Sequence, residues 1–188
     1  RHLNGPSKAH MRAATRTIQY LANTSQLCIH YSSSRLHAPE AFADSDWAGC
    51  IDTRESTSGK VVMYNGGPVV WGSHRQHAVA LSSAEAELYS FSETCKDVMF
   101  IRRLLASIGS PLTDSTPVHE DSSSAIVWLQ RGPKWKAARH IATRHFKCAE
   151  LLNKNFIKPQ KIDTSDQLAD LLTKSLPYRS EEHTSELQ

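Results

Sequence analysis

Six carboxylates stand where their spacing could do chemistry. In "EAFADSDWAGC", residues 40–50, a short apolar run carries Asp44 and Asp46. Alternate side chains of a strand share a face, so the spacing brings these two acids together. They can be polar residues where an edge strand meets a turn. Against that, Phe42, Ala43, Trp47 and Ala48 flank them, and a buried carboxylate without a partner is costly. In "LSSAEAELYS" local chemistry separates two glutamates. With Ser82 as N-cap, Glu85 takes the third helical position of a capping box. Glu87 has no such task and lies at the margin of an apolar stripe. Asp121 closes a strand before a helix, where N-capping is the plain role. Asp170 follows a T-x-x-Q capping pattern at Thr164 and Gln167, points away from Leu168, Leu171 and Leu172, and is spaced to pair with Lys174 in solvent. Each acid alone has a mundane reading. As a set, three or four carboxylates without a basic partner repel one another unless cations sit between them. Oxygen-only ligands suit Mg2+ or Mn2+, and two such ions about 4 Å apart are a recurring clamp for phosphodiester cleavage.

The elements that must position these acids can be read from periodicity. Residues 7–22 predict an amphipathic helix with Met11, Ala14, Ile18 and Leu21 on one face. "LCIHYS" reads as a short strand and "SSSRLHAPE" as a polar connector. Strands are expected at 40–47, 60–65 and 69–74, with "NGGP" as a hairpin turn between the last two. A helix is expected over 83–107, stopped by Gly109 and Pro111. A strand over 116–121, helices over 122–131 and 139–154, a Pro159-containing strand suited to a sheet edge, and a last helix over 165–175 complete the order. That alternation predicts a mixed α/β domain around one sheet.

Composition bounds the alternatives. The chain has 188 residues, 39% apolar and 22% charged, with a net charge of +3 that becomes +5 without its last ten residues, mildly basic and compatible with a nucleic-acid partner. No run approaches the roughly 20 apolar residues of a membrane span, and residues 1–20 lack the apolar core of a signal peptide. Cys28, Cys50, Cys95 and Cys148 are widely spaced, which argues against a disulfide framework. His140, His145 and Cys148 make one close group where structural zinc usually takes two, so zinc is disfavoured. The chain does not begin with Met and reads as a fragment. Its tail, 178–188, ending in "RSEEHTSELQ", looks like read-through of a sequencing adapter and is expected to be an artefact.

"ADSDWAG", "RESTSG", "VVWGSHRQHAVALSSAEAE", "EDSSSAI" and "DQLADLLTKSLP" follow one another in the order found in copia-type retrotransposon Pol polyproteins. They resemble the ribonuclease H domain at the polyprotein's C-terminal end. The resemblance covers about 36–177, while 1–35 resembles the end of the reverse transcriptase and its connection. It implies the ribonuclease H-like fold, a five-stranded mixed sheet with helices on both faces. It also implies a catalytic and metal-binding tetrad at Asp44, Glu87, Asp121 and Asp170, two Mg2+ ions (or Mn2+), and hydrolysis of the RNA strand of an RNA–DNA hybrid. For Asp170 the family alone carries the assignment. The upstream reverse transcriptase would be the partner in the same polyprotein, with no membrane, in cytoplasmic virus-like particles or the nucleus. Departures are Ser122 where Asn is usual, Ala142 where Asp is common, and no histidine in the loop before the last aspartate. A remnant that binds nucleic acid without cutting is the alternative function, and a DNA-cutting transposase on the same fold is a weaker one. The acid-free segment 122–149 sets Arg131, Lys134, Lys136, Arg139 and Arg144 around Trp135. It reads either as a phosphate-tracking patch with a stacking ring or as a solvated helix face with a buried tryptophan.

Overall fold

The structure, a computed structural model, describes residues 5–32, 38–50, 53–77, 79–131 and 139–174, with the side chains of 139–142 left aside. The chain divides into two units, Arg1–His30 and Tyr31–Gln188. The first holds helix α1, Lys8–Asn23. Its N-terminus is closed reciprocally: the Ser7 hydroxyl accepts from the His10 N–H, and His10 Nδ1 accepts from the Ser7 N–H. None of its residues is buried, so the apolar face of Met11, Ile18 and Leu21 is exposed.

The second unit is built on strands β1 (Glu40–Asp46), β2 (Thr57–Tyr64), β3 (Gly67–Arg75), β4 (Thr116–Glu120) and β5 (Ile157–Lys161), in the spatial order β3-β2-β1-β4-β5. β2 runs antiparallel to both β1 and β3, whereas β4 and β5 are parallel to β1 and to each other. Asn65 and Gly66, both at positive φ (52° and 83°), make the tight β2–β3 hairpin expected of "NGGP". β1 is the central strand, and Pro159 lies on the edge strand β5, opposite Val118 of β4, the kind of strand on which a proline is tolerated.

Helix α2 (Ser83–Ser107) covers one sheet face, with α3 (Ser123–Arg131) and α4 (Arg139–Asn153) beside it. Its stripe of Leu88, Phe91, Cys95, Val98, Ile101 and Leu105 packs on Ala41, Ala43, Val62 and Val118. Alanines at 41 and 43 on the central strand let the helix close on the sheet. Gly109 ends α2 at φ 82°: its N–H bonds the Ala106 carbonyl, and the next N–H, of Ser110, bonds Leu105. This is the glycine-terminated Schellman geometry.

Two expectations are corrected. "LCIHYS" forms no strand; at its end Tyr31 donates its hydroxyl to the Pro68 carbonyl and Ser32 its N–H to that of Asn65. The last helix is not continuous over 165–175. A single 3-10 turn at Thr164–Asp166 is followed by a four-residue helix, α5 (Asp170–Thr173). The T-x-x-Q pair does not cap, because Gln167 is buried and spends its amide on the Ala43 carbonyl of β1 at 3.0 Å.

That bond draws α5 onto the face of the sheet opposite α2, where Ala169 packs with Phe42 and Val61. Gly59, paired with Asp44 in the β1–β2 register, leaves the room. A Cβ there would stand 2.6 Å from the Ala169 carbonyl oxygen and 2.6 Å from Thr173 Cγ2. Gly59→Ala is therefore expected to lower stability by about 1–3 kcal/mol, read as a lower Tm. An unchanged Tm would show that α5 does not rest on this glycine.

Candidate active site

The parallel pair β1–β4 brings two C-terminal strand ends to the same side of the sheet, the usual place for a site in an α/β fold. Asp44 is near the end of β1, Asp121 follows β4 directly, and Glu87 lies in the second turn of α2. Carboxylate oxygens of Asp44, Glu87 and Asp121 all lie within 4.8 Å of one another. Asp44 is 1% exposed and Glu87 7%.

Neighbouring residues hold this convergence. Gln76, itself buried, donates to the Ser58 hydroxyl and to the Ala86 carbonyl, tying β2 to the first turn of α2 beside Glu87. The Trp47 indole N–H donates to the Ala80 carbonyl at 3.0 Å, anchoring the approach to α2 just after β1. Glu85 is tied to the helix start: its N–H bonds Ser82 Oγ as the capping pattern predicts, while its carboxylate accepts the Leu81 N–H at 2.8 Å. Glu87 is left free of that duty. Asp121 does not cap α3; the Ser122 hydroxyl does, accepting from the Ala125 N–H. Asp121 instead accepts the Thr164 hydroxyl at 2.9 Å and lends its carbonyl to the Lys161 ammonium.

Asp170 reaches the site through Lys174. The ammonium lies 2.7 Å from Asp170 Oδ1, the i+4 pairing its spacing predicts, and 3.5 Å from Asp44 Oδ1. The acids thus do have a basic partner, contrary to expectation, and the Thr173 hydroxyl donates to the other Asp44 oxygen. Thr164, Thr173 and Lys174 were not foreseen as site residues. The one signal was that 170, 173 and 174 share a helix face at i, i+3 and i+4. Asp46, half-exposed at the end of β1, is not among the converging acids and turns its carboxylate toward Gly49.

Of the basic segment, Lys134, Trp135 and Lys136 lie outside the described residues, and Arg139 opens α4. Arg131 is exposed at the end of α3. Arg144 sets its guanidinium 4.0 Å over the Tyr89 ring, between α4 and α2. Cys148 lies in the core with Cys95.

Burial pushes the Asp44 carboxyl up to about 6; Thr173 and Lys174 oppose the rise, and Asp170 and Asp121 add to it. Burial, then the charges of Asp44 and Asp121, push Glu87 up to about 9. Glu120, fully buried one residue before Asp121, is raised well above the carboxylate range by burial and then by Glu87. One oxygen each of Glu87 and Glu120 is buried with no hydrogen-bond partner. A donor set of oxygens alone, with a buried oxygen to spare, fits a hard divalent cation.

These shifts set a sign for pH. Asp44 and Glu87 keep their protons to higher pH in the folded chain than in the unfolded one. Without metal, stability should therefore fall as pH rises from the ordinary carboxylate range to about 9. Thermal melts in EDTA should show it. Glu87→Gln should recover roughly 1–3 kcal/mol at the alkaline end, the scale of a buried polar group without a partner. A Tm that climbs with pH over this range would contradict the assignment.

No protein-family model matches the chain. Among curated proteins it is 33% identical over 187 residues to the retrovirus-related Pol polyprotein from transposon TNT 1-94 of Nicotiana tabacum, covering 100% of this chain and 14% of that protein. It is 32% identical over 171 residues to the corresponding polyprotein from transposon RE1 of Arabidopsis thaliana, covering 91% of this chain and 12% of that protein. The chain thus spans a small part of the polyproteins it matches. Among solved structures it is similar to LC11-RNase H1 in complex with an RNA/DNA hybrid, with a TM-score of 0.54 at 16% identity over 72% of this chain and 94% of that one. A second LC11-RNase H1 structure gives a TM-score of 0.53 at 14% identity, over 80% and 98%. The sheet order, the converging acids and these relatives agree: the chain belongs to the Pol polyproteins of copia-type retrotransposons, and its second unit has the ribonuclease H-like fold.

Proposed function

We propose that this chain carries the nuclease of its polyprotein and hydrolyses the RNA strand of RNA–DNA hybrids during reverse transcription. The observation that carries the reading is the meeting of Asp44, Glu87 and Asp121 within 4.8 Å on a ribonuclease H-like sheet. Asp170, joined to Asp44 through Lys174, is the fourth acid of the set. These four would hold Mg2+, with Mn2+ as a substitute, as a pair of ions. Bound there, such ions supply charge stabilisation for phosphodiester cleavage and lower the pKa of water.

The chain's own residues orient the ligands. Thr173 fixes one oxygen of Asp44, and the other is 3.5 Å from the Lys174 ammonium. Thr164 holds Asp121 by one oxygen, and the unpartnered oxygen of Glu87 remains for the cation. No histidine stands between Lys161 and Asp170, so a proton leaving or entering the site moves through water. Arg131 and the basic segment after it would meet phosphates of the hybrid, and the 2′-hydroxyl would mark the strand to be cut. The reverse transcriptase region of the polyprotein would present the hybrid.

The test is cleavage of a labelled RNA–DNA hybrid with Mg2+. The native chain should cut only the RNA strand, and EDTA should abolish cutting. Asp44→Asn should lose more than the roughly 10–100-fold that a merely supporting residue costs. Hybrid binding without cleavage by the native chain would replace this reading with that of a binding remnant.

A further inference from the structure

Lys174 is the one cation among the described residues that reaches two of the four acids. Its ammonium is firmly seated on Asp170 at 2.7 Å and only leans on Asp44 at 3.5 Å. The two contacts differ in kind. The first lies within α5 and its immediate C-terminus, at i and i+4. The second crosses from α5 to the central strand, 130 residues away in sequence. Lys174 is 38% exposed on its side chain whereas Asp44 is 1% exposed. The ammonium can therefore withdraw toward water while keeping Asp170, but Asp44 cannot follow it. Without Lys174, Asp44 would keep only the Thr173 hydroxyl against burial and the carboxylates of Asp121 and Asp170.

We propose that Lys174 is an internal counter-ion that competes with the divalent cation for Asp44. In the metal-free chain it neutralises Asp44 and links it to Asp170. Cation binding displaces it from Asp44 while Asp170 retains it. Lys174 is then a positioning residue that keeps the acid set assembled before metal arrives, at the expense of metal affinity. The inference rests on the metal-binding reading above, and the two can fail separately.

The experiment compares the native chain with Lys174→Met, Lys174→Gln and Lys174→Arg at neutral pH, by Mn2+ titration followed through the paramagnetic resonance of free Mn2+ and by thermal melting in EDTA and in saturating Mn2+. Loss of the charge should tighten Mn2+ binding about tenfold or more, because a cation no longer opposes the entering one. Met and Gln variants should melt lower in EDTA, and most of that deficit should vanish in Mn2+. Lys174→Arg should restore both properties toward the native values. A Met variant that folds only when Mn2+ is present supports the exchange; if it folds in neither condition, Lys174→Gln carries the comparison. Unchanged Mn2+ affinity, with the same loss of Tm in both conditions, overturns the proposal and leaves an ordinary salt bridge. Weaker Mn2+ binding also overturns it. If the native chain and all variants take up no Mn2+, the metal-binding reading falls as well.

Discussion

Like charges buried at close range constrain everything else in this domain. Asp44, Glu87 and Asp121 converge within 4.8 Å at the end of the sheet, and the first two are almost wholly removed from water. Neutral Asp44 and Glu87 would relieve the repulsion; burial, before the neighbouring charges, pushes both groups up. A folded chain that keeps such a cluster gives up stability there and must recover it elsewhere. The recovery lies in the stripe of α2 against the small residues of β1 and in the glycine-terminated end of that helix.

The fold meets the constraint by setting different elements on opposite faces of the central strand. Ala41 and Ala43 face α2, while Phe42 and Asp44 face α5. α2 delivers Glu87 to the strand's end from one side. From the other, α5 lies flat over Gly59 and supplies Thr173, Lys174 and Asp170 as a group. Gln167 connects the two sides through the Ala43 carbonyl, so the loop before α5 is registered to the strand that carries Asp44. A helix of only four residues could not hold this position alone; it is held by burial of Ala169 and by the contacts of its acidic and basic ends.

Strong local signals made much of this legible in the sequence. The β2–β3 hairpin, the extent of α2 and the edge position of the Pro159 strand follow from turn chemistry, periodicity and the missing N–H. The choice of Glu87 over Glu85 followed from the capping geometry at Ser82, which the Glu85 N–H makes. Family resemblance, not spacing, singled out Asp170. Its local pattern foretold the Lys174 pairing correctly but gave no hint that the same ammonium reaches Asp44. The Thr164–Gln167 pair misled for a related reason. Both side chains suit an N-cap, yet tertiary partners claim them, Thr164 going to Asp121 and Gln167 to Ala43. Non-local contacts of this kind leave no periodic trace. Asp46 shares a strand face with Asp44 but lies beyond the buried part of β1, where the chain turns toward Gly49.

The most direct test of the account is a crystal of the chain soaked in Mn2+ and read by anomalous scattering. The predicted result is Mn2+ bound between Asp44, Glu87 and Asp121, in contact with an oxygen of each. Saturating Mn2+ that leaves these carboxylates without a peak, or that binds only elsewhere on the surface, would contradict it.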